Sequence, residues 1–289
     1  MKFLNILLVF ISFLFGFVLS HLRISHKIKS AVNNYLIYFG LPLFIFSSIT
    51  SLKNFKFGNI VLLAFLIITV ASIISYVVFK NSNLSRKRKA SLFLCSVFGN
   101  TGYLGIPLCY AFYGDIGGGI ASIFSVVNGV LHYTIGVFFA NSIYRKGRYA
   151  LNEALRFPPL YAAVFAFIAL KLDFLLPKLI KDFSLSAIYL APFVIGISFK
   201  YVKFDRSFLS ASLFKFIFLP LITFLSAFPL FKNAYLYSFI LLAFVPPALT
   251  NTLIAVKYKF DDSFAAELTS LTTAIFLFGI LIFGIFSRF

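Results

Sequence analysis

The chain has 289 residues, 61% of them hydrophobic and 42 of them Phe, with a mean hydropathy of +0.99. Soluble domains carry roughly 45–50% apolar residues, so this composition excludes a soluble globular protein and points to an integral membrane one. Only 8 acids face 26 Lys and Arg, a net charge of +18, yet the basic residues lie between apolar segments and form no single patch. That distribution reads as membrane topology and argues against nucleic-acid binding.

A membrane-spanning helix needs roughly 17–25 residues. Charged or turn-rich gaps divide the chain into ten such candidates, near 3–20, 29–51, 57–79, 90–112, 119–141, 155–172, 184–200, 207–229, 235–257 and 263–286. The first has the length of a signal peptide, but no small-x-small cleavage site leading into a soluble domain follows it, so it is read as a span. The second contains Leu41-Pro42-Leu43. The fourth carries Gly99-Asn100-Thr101-Gly102-Tyr103-Leu104-Gly105-Ile106-Pro107 and exits through a loop, Gly114–Gly119, that lacks positive charge. Cys95 and Cys109 have neither CxxC nor Cys/His spacing and are read as packing residues. In the fifth span, Ser125, Asn128 and His132 follow steps of three and four residues, which puts them on one face, expected to point inward.

The link between the sixth and seventh spans is crowded with Lys171, Asp173, Pro177, Lys178, Lys181 and Asp182, and the seventh contains Ala191-Pro192-Phe193. Lys215 lies inside the eighth span. The ninth repeats the theme of the fourth with Pro246-Pro247-Ala248-Leu249-Thr250-Asn251-Thr252, and Glu267 stands about one turn into the tenth.

Loops after odd-numbered spans carry 17 of the 26 basic residues, led by Arg86-Lys87-Arg88-Lys89. By the positive-inside rule these loops are cytoplasmic and both termini face outward. The basic run itself reads as an anchor to anionic headgroups. Five spans per half is an odd number, so two similar halves, 1–148 and 149–289, must sit in opposite orientation. Prolines in spans 2 and 7, and Asn-Thr plus proline in spans 4 and 9, support that pairing. The boundary is expected at Lys146–Phe157.

Proline removes an N–H donor, and lipid tolerates loose backbone only where it is buried in protein or lines a cavity. Interrupted spans at matching places in two halves therefore point to a transporter's binding site. Pro107 is expected to end one half-helix and the glycines to let the backbone unwind. Exposed N–H groups at a half-helix start hold an anion without a buried Lys or Arg. Asn100, Thr101, Gly102, Pro107, Pro246, Pro247, Asn251 and Thr252 are the candidate substrate-binding residues. The plainer reading is a kinked helix whose Asn and Thr side chains re-satisfy its own backbone.

The segment Asn100 to Leu108, followed by Tyr113-Gly114, resembles the fourth-helix signature of the auxin efflux carrier family, which includes plant auxin exporters and bacterial malate and malonate permeases. Pro246 to Tyr258 is similar to the family's ninth-helix crossover, and Leu41-Pro42 to its second-helix proline. The resemblance implies an all-α membrane fold of ten helices in two inverted five-helix repeats, with helices 4 and 9 broken and crossing, as in bile acid/sodium symporters. It also implies elevator-type movement of a transport domain (helices 3–5 and 8–10) against a scaffold (helices 1, 2, 6 and 7). Carboxylate-bearing substrates, a substrate contact at Asn100 and a homodimer follow from it too. The long cytoplasmic loop of many plant exporters is missing, and the ninth-helix pattern departs from the family in its double proline.

The expected function is a secondary transporter or uniporter of a small organic anion, with membrane lipid and the anion as partners, no nucleic acid, no cofactor and no metal. Proton coupling or uniport is favoured over the alternative, a sodium-coupled symporter. Candidate coupling or charge residues are His132, Asn128, Lys215 and Glu267. His132 could take up a proton with the anion or pack against a neighbouring helix. Lys215 could neutralise a carboxylate or snorkel toward the cytoplasmic face. Glu267 has the plain alternative of a helix-start acid. A membrane enzyme using His132 is the rival from another class, for which a second polar catalytic partner is missing from the sequence.

Overall fold

The computed structural model describes residues 2–22, 25–51, 57–144, 155–172, 174, 176–200, 202 and 205–286. Within them the regular structure is helical: α1 (Lys2–Leu19), α2 (Ser25–Thr50), α3 (Phe57–Lys80), α4 (Arg86–Val97), α5 (101–113), α6 (115–144), α7 (Pro158–Lys171), α8 (Lys178–Ile197), α9 (Ser207–Ala227), α10 (Asn233–Phe244), α11 (Leu249–Tyr258) and α12 (Asp262–Phe286). Six stretches are long and apolar enough to cross a membrane: α2, α3, the bent α5–α6 pair, α8, α9 and α12. The chain is a multi-pass membrane protein. The predicted boundary between halves lies largely outside the described residues.

Local chemistry sets the helix ends. Ser85 caps α4 by accepting from Arg88 N, Pro158-Pro159 open α7, and Pro177 precedes α8. Helix α8 starts at Lys178, so the crowded 178–183 stretch, expected as a link, is helical. The loop expected at 114–119 shrinks to Gly114, whose φ of 62° and ψ of −146° turn the chain sharply from α5 into α6. Glycine tolerates that positive φ without steric cost.

Three prolines share one local solution. Leu41 N–H bonds back to Leu36 O, Ile106 to Thr101 O and Leu219 to Phe214 O, each one residue further than an α-helical bond. Pro42, Pro107 and Pro220 follow immediately. Widening the turn by one residue relieves the clash between the ring and the preceding turn. Pro107 therefore does not end a half-helix as expected; it is absorbed within the continuous α5.

Apolar side chains cover the outside as well as filling the core, and polar ones are buried among them. Phe15, Leu62, Val77, Phe165 and Ile275 face outward, whereas Ser72, Ser122, Asn128, Thr223 and Asn251 are buried. Ser72, Ser96, Thr223 and Thr272 donate to the carbonyl one turn earlier, which satisfies each hydroxyl inside its own helix. Helices α1 and α8 approach backbone to backbone: a Cβ on Gly16 would lie 2.2 Å from Phe193 O, and one on Gly196 would lie 2.0 Å from Phe13 O. Helix α2 packs against α7, and α10 against α5, α6 and α9.

Ion pairs mark two faces. Arg88 bonds Asp205 at 2.7 Å and Asp261 at 3.0 Å, which ties the first turn of α4 to the loops before α9 and α12. Lys181 on α8 bonds Asp115 at the start of α6 at 3.1 Å. One member of the basic run thus serves to tie loops together, beyond the headgroup role expected for it. Two hydrogen bonds from Ser207 and the neighbouring Arg88 guanidinium hold the Asp205 carboxyl below its ordinary range.

Candidate functional site

The chain leaves helical geometry at Phe98 after α4 and at Val245 after α10. The two extended stretches meet as a short antiparallel ribbon centred on Gly99 and Pro247. Asn100 N donates to Pro246 O at 2.8 Å, and Ala248 N donates to Phe98 O at 3.0 Å. The break in the fourth segment is therefore Phe98–Asn100, upstream of the proline.

Side chains from other segments satisfy the remaining carbonyls. Asn251 Nδ2 donates to Phe98 O at 3.0 Å and Asn128 Nδ2 to Gly99 O at 3.2 Å. Lys215 Nζ reaches Val97 O at 3.5 Å. Asn100 Oδ1 caps α5 by accepting from Tyr103 N at 3.3 Å. Its Nδ2 has no partner among the described residues, although the residue is only 6% exposed. A buried amide with an unused donor is costly to leave unpaired.

A cavity of about 170 Å³ lies against one side of the ribbon. The first turns of α5 and α11 contribute Asn100, Thr101, Gly102 and Leu249, Thr250. Ser125, Asn128 and His132 from α6 line it together, so the spacing argument placed that face correctly. Aliphatic Ile37, Leu41 and Ile45 of α2 and Leu253 of α11 complete its lining. The His132 ring stacks on Phe98 with centroids 4.4 Å apart and planes at 7°, and it faces the Asn251 carboxamide. Neither His132 Nε2 nor Asn251 Oδ1 has a partner of hydrogen-bonding geometry among the described residues. A second, more open cavity of about 310 Å³ shares Ile37, Tyr133, Phe157 and Leu253 with the first and is bordered by Arg156 and Lys257.

The other candidates fall elsewhere. Pro246 and Pro247 build the ribbon, Pro107 is buried within α5, and Thr252 is half-buried two residues beyond the lining Thr250. Lys215 is 1% exposed and points at the ribbon, which rules out snorkelling, and it does not line the ribbon cavity. Glu267 is half-buried on α12 and lines neither cavity. Sequence reasoning missed Asn33, which accepts from Tyr103 Oη at 2.7 Å across the cavity. The Asn33-Asn34 pair in an otherwise apolar span was the available signal.

The family model described as membrane transport protein matches residues 2–150. The chain belongs to the auxin efflux carrier family. This carrier is also 26% identical over 271 residues, 88% of each chain, to an uncharacterized transporter of Methanocaldococcus jannaschii. Both matches point to a membrane transporter and away from an enzyme.

Proposed function

We propose that this carrier moves a small organic anion, a mono- or dicarboxylate, across the cell membrane as a secondary transporter or uniporter, with the solute held in the ribbon cavity. The observation that carries this reading is the unpartnered Asn100 Nδ2 beside the starts of two half-helices that open onto one cavity. Helix N-termini favour anions through their free N–H groups and partial positive charge. A cavity of about 170 Å³ is below the ~300 Å³ at which drug-sized ligands begin, which suits a small solute. Its polar ribbon side and aliphatic α2 side suit a carboxylate joined to a short apolar remainder.

Ten spans in two inverted repeats, with elevator-type movement, complete the proposal. Supporting it, α1 packs on α8 as α2 packs on α7, the exchange that inverted halves would produce. The segments tied by Arg88 all follow odd-numbered spans, in keeping with a cytoplasmic face there and both termini outside. A homodimer remains part of the proposal through the family. For catalysis by His132, the cavities contribute no carboxylate among the described residues.

The test is uptake of labelled malate, malonate, pyruvate and indole-acetate into proteoliposomes. Asn100→Asp keeps the cap oxygen and removes the free donor, so it should fold normally and lose uptake. Wild-type uptake by this variant would remove the proposed site.

A further inference from the structure

Lys215 is a buried basic residue that stands outside the lining of the solute cavity. It sits in the widened turn of α9, and its only hydrogen-bond partner among the described residues is Val97 O, at 3.5 Å. It forms no ion pair among them. The fit is close: a Cβ on Gly99 would lie 2.6 Å from its Nζ. A void of about 10 Å³ lies beside it, bordered by Val97, Gly99, Thr101, Asn128 and Thr223. That void is far too small for a carboxylate solute. Gly99, Thr101 and Asn128 border the ribbon cavity as well, so they form a wall with the ammonium on one side and the solute space on the other.

Val97 is the last residue of α4, where the helix exposes carbonyls and carries partial negative charge. Unwound carbonyls and half-helix C-terminal ends are where sodium-coupled transporters hold their ion. An isolated charge within the membrane is expensive and marks function by default. We propose that Lys215 is a resident monovalent cation. Its ammonium fills the place that a coupling sodium ion would need, and it offers a fixed positive charge to the bound anion through the Gly99–Thr101–Asn128 wall. The second half of this statement rests on the anion reading above; the first does not.

The test needs no known substrate. Thermal unfolding of the full chain in detergent is compared in sodium chloride and in choline chloride at equal ionic strength. The wild type should melt at the same temperature in both, because its cation site is already filled. Lys215→Ala opens the site, so it should melt lower in choline and be raised by about 2 °C or more by sodium or by methylammonium chloride, as binding to the folded state requires. Sodium-specific stabilisation of the wild type would overturn the proposal, as would a Lys215→Ala protein that responds to neither cation. Should that variant fail to fold, the wild-type comparison still decides. Uptake of labelled malonate and pyruvate with sodium or choline outside separates the two claims. Equal uptake supports both. Sodium-stimulated uptake overturns the resident cation, and failure of every solute tested counts against the anion reading while the melting experiment stands.

Discussion

Asn251 on α11 donates its carboxamide to the main-chain carbonyl of Phe98, 3.0 Å away and 153 residues distant in sequence. This bond joins the two broken segments beyond their backbone ribbon. Asn251→Ala leaves Phe98 O with Ala248 N as its remaining donor, so the loss is that of one hydrogen bond, about 0.5–1.5 kcal/mol. The expected outcome is a melting temperature a few degrees lower together with reduced uptake. A melting temperature equal to the wild type would show that the side chain does not brace the crossing.

Gly99→Ala should be more damaging than its single methyl suggests. The added carbon would meet Lys215 Nζ at 2.6 Å and Val245 Cγ2 at 2.9 Å. Gly58→Ala is the matched control, since nothing lies within 4 Å of its Cβ position. Expression and thermal stability in detergent should fall for the first and stay level or rise for the second.

Tyr103 Oη donates to Asn33 Oδ1 at 2.7 Å, linking α5 to α2 across the cavity. A single such bond contributes about 0.5–1.5 kcal/mol, so Tyr103→Phe should depopulate this conformation. With a cysteine at Thr250, the rate of labelling by a membrane-impermeant maleimide should fall, by up to about 10-fold. Unchanged labelling would mean that the bond does not favour this state.

Arg88 supplies a prediction in pH. The Asp205 carboxyl is held low, so its stabilising effect is present above the ordinary carboxylate range and lost as pH falls through its folded value. Both partners are about one-third exposed, 35% and 33%. Exposed pairs are worth only about 0–1 kcal/mol, so Arg88→Gln should lower the melting temperature slightly near neutral pH. The difference from wild type should vanish in acid. A difference that persists there would assign the effect to packing over Phe264.

The apolar stretches, the two breaks and the inward face of Ser125, Asn128 and His132 were legible because composition and helical period carry them directly. Proline 107 misled: it announces a disturbance of the helix, but a widened turn two residues earlier absorbs it and the break falls at Phe98–Asn100. The orientation of Lys215 was hidden for a similar reason, since it lies in a widened turn that shifts the phase of its helix. Asn33, Tyr133 and Phe157 reach the cavities only through tertiary packing, which no local pattern announces. Lys178 to Phe183 looked like a charged link because charge outweighed the proline at 177 that starts the helix.

The seam between Gly16 and Gly196 bears on how such a molecule can rearrange. Where two main chains abut at the glycines, there are no rotamers to readjust at that point, and Phe15 against Phe193 fills the space beside it. Such a seam favours α1 and α8 travelling as a single strut, with any slip plane for a stroke lying elsewhere.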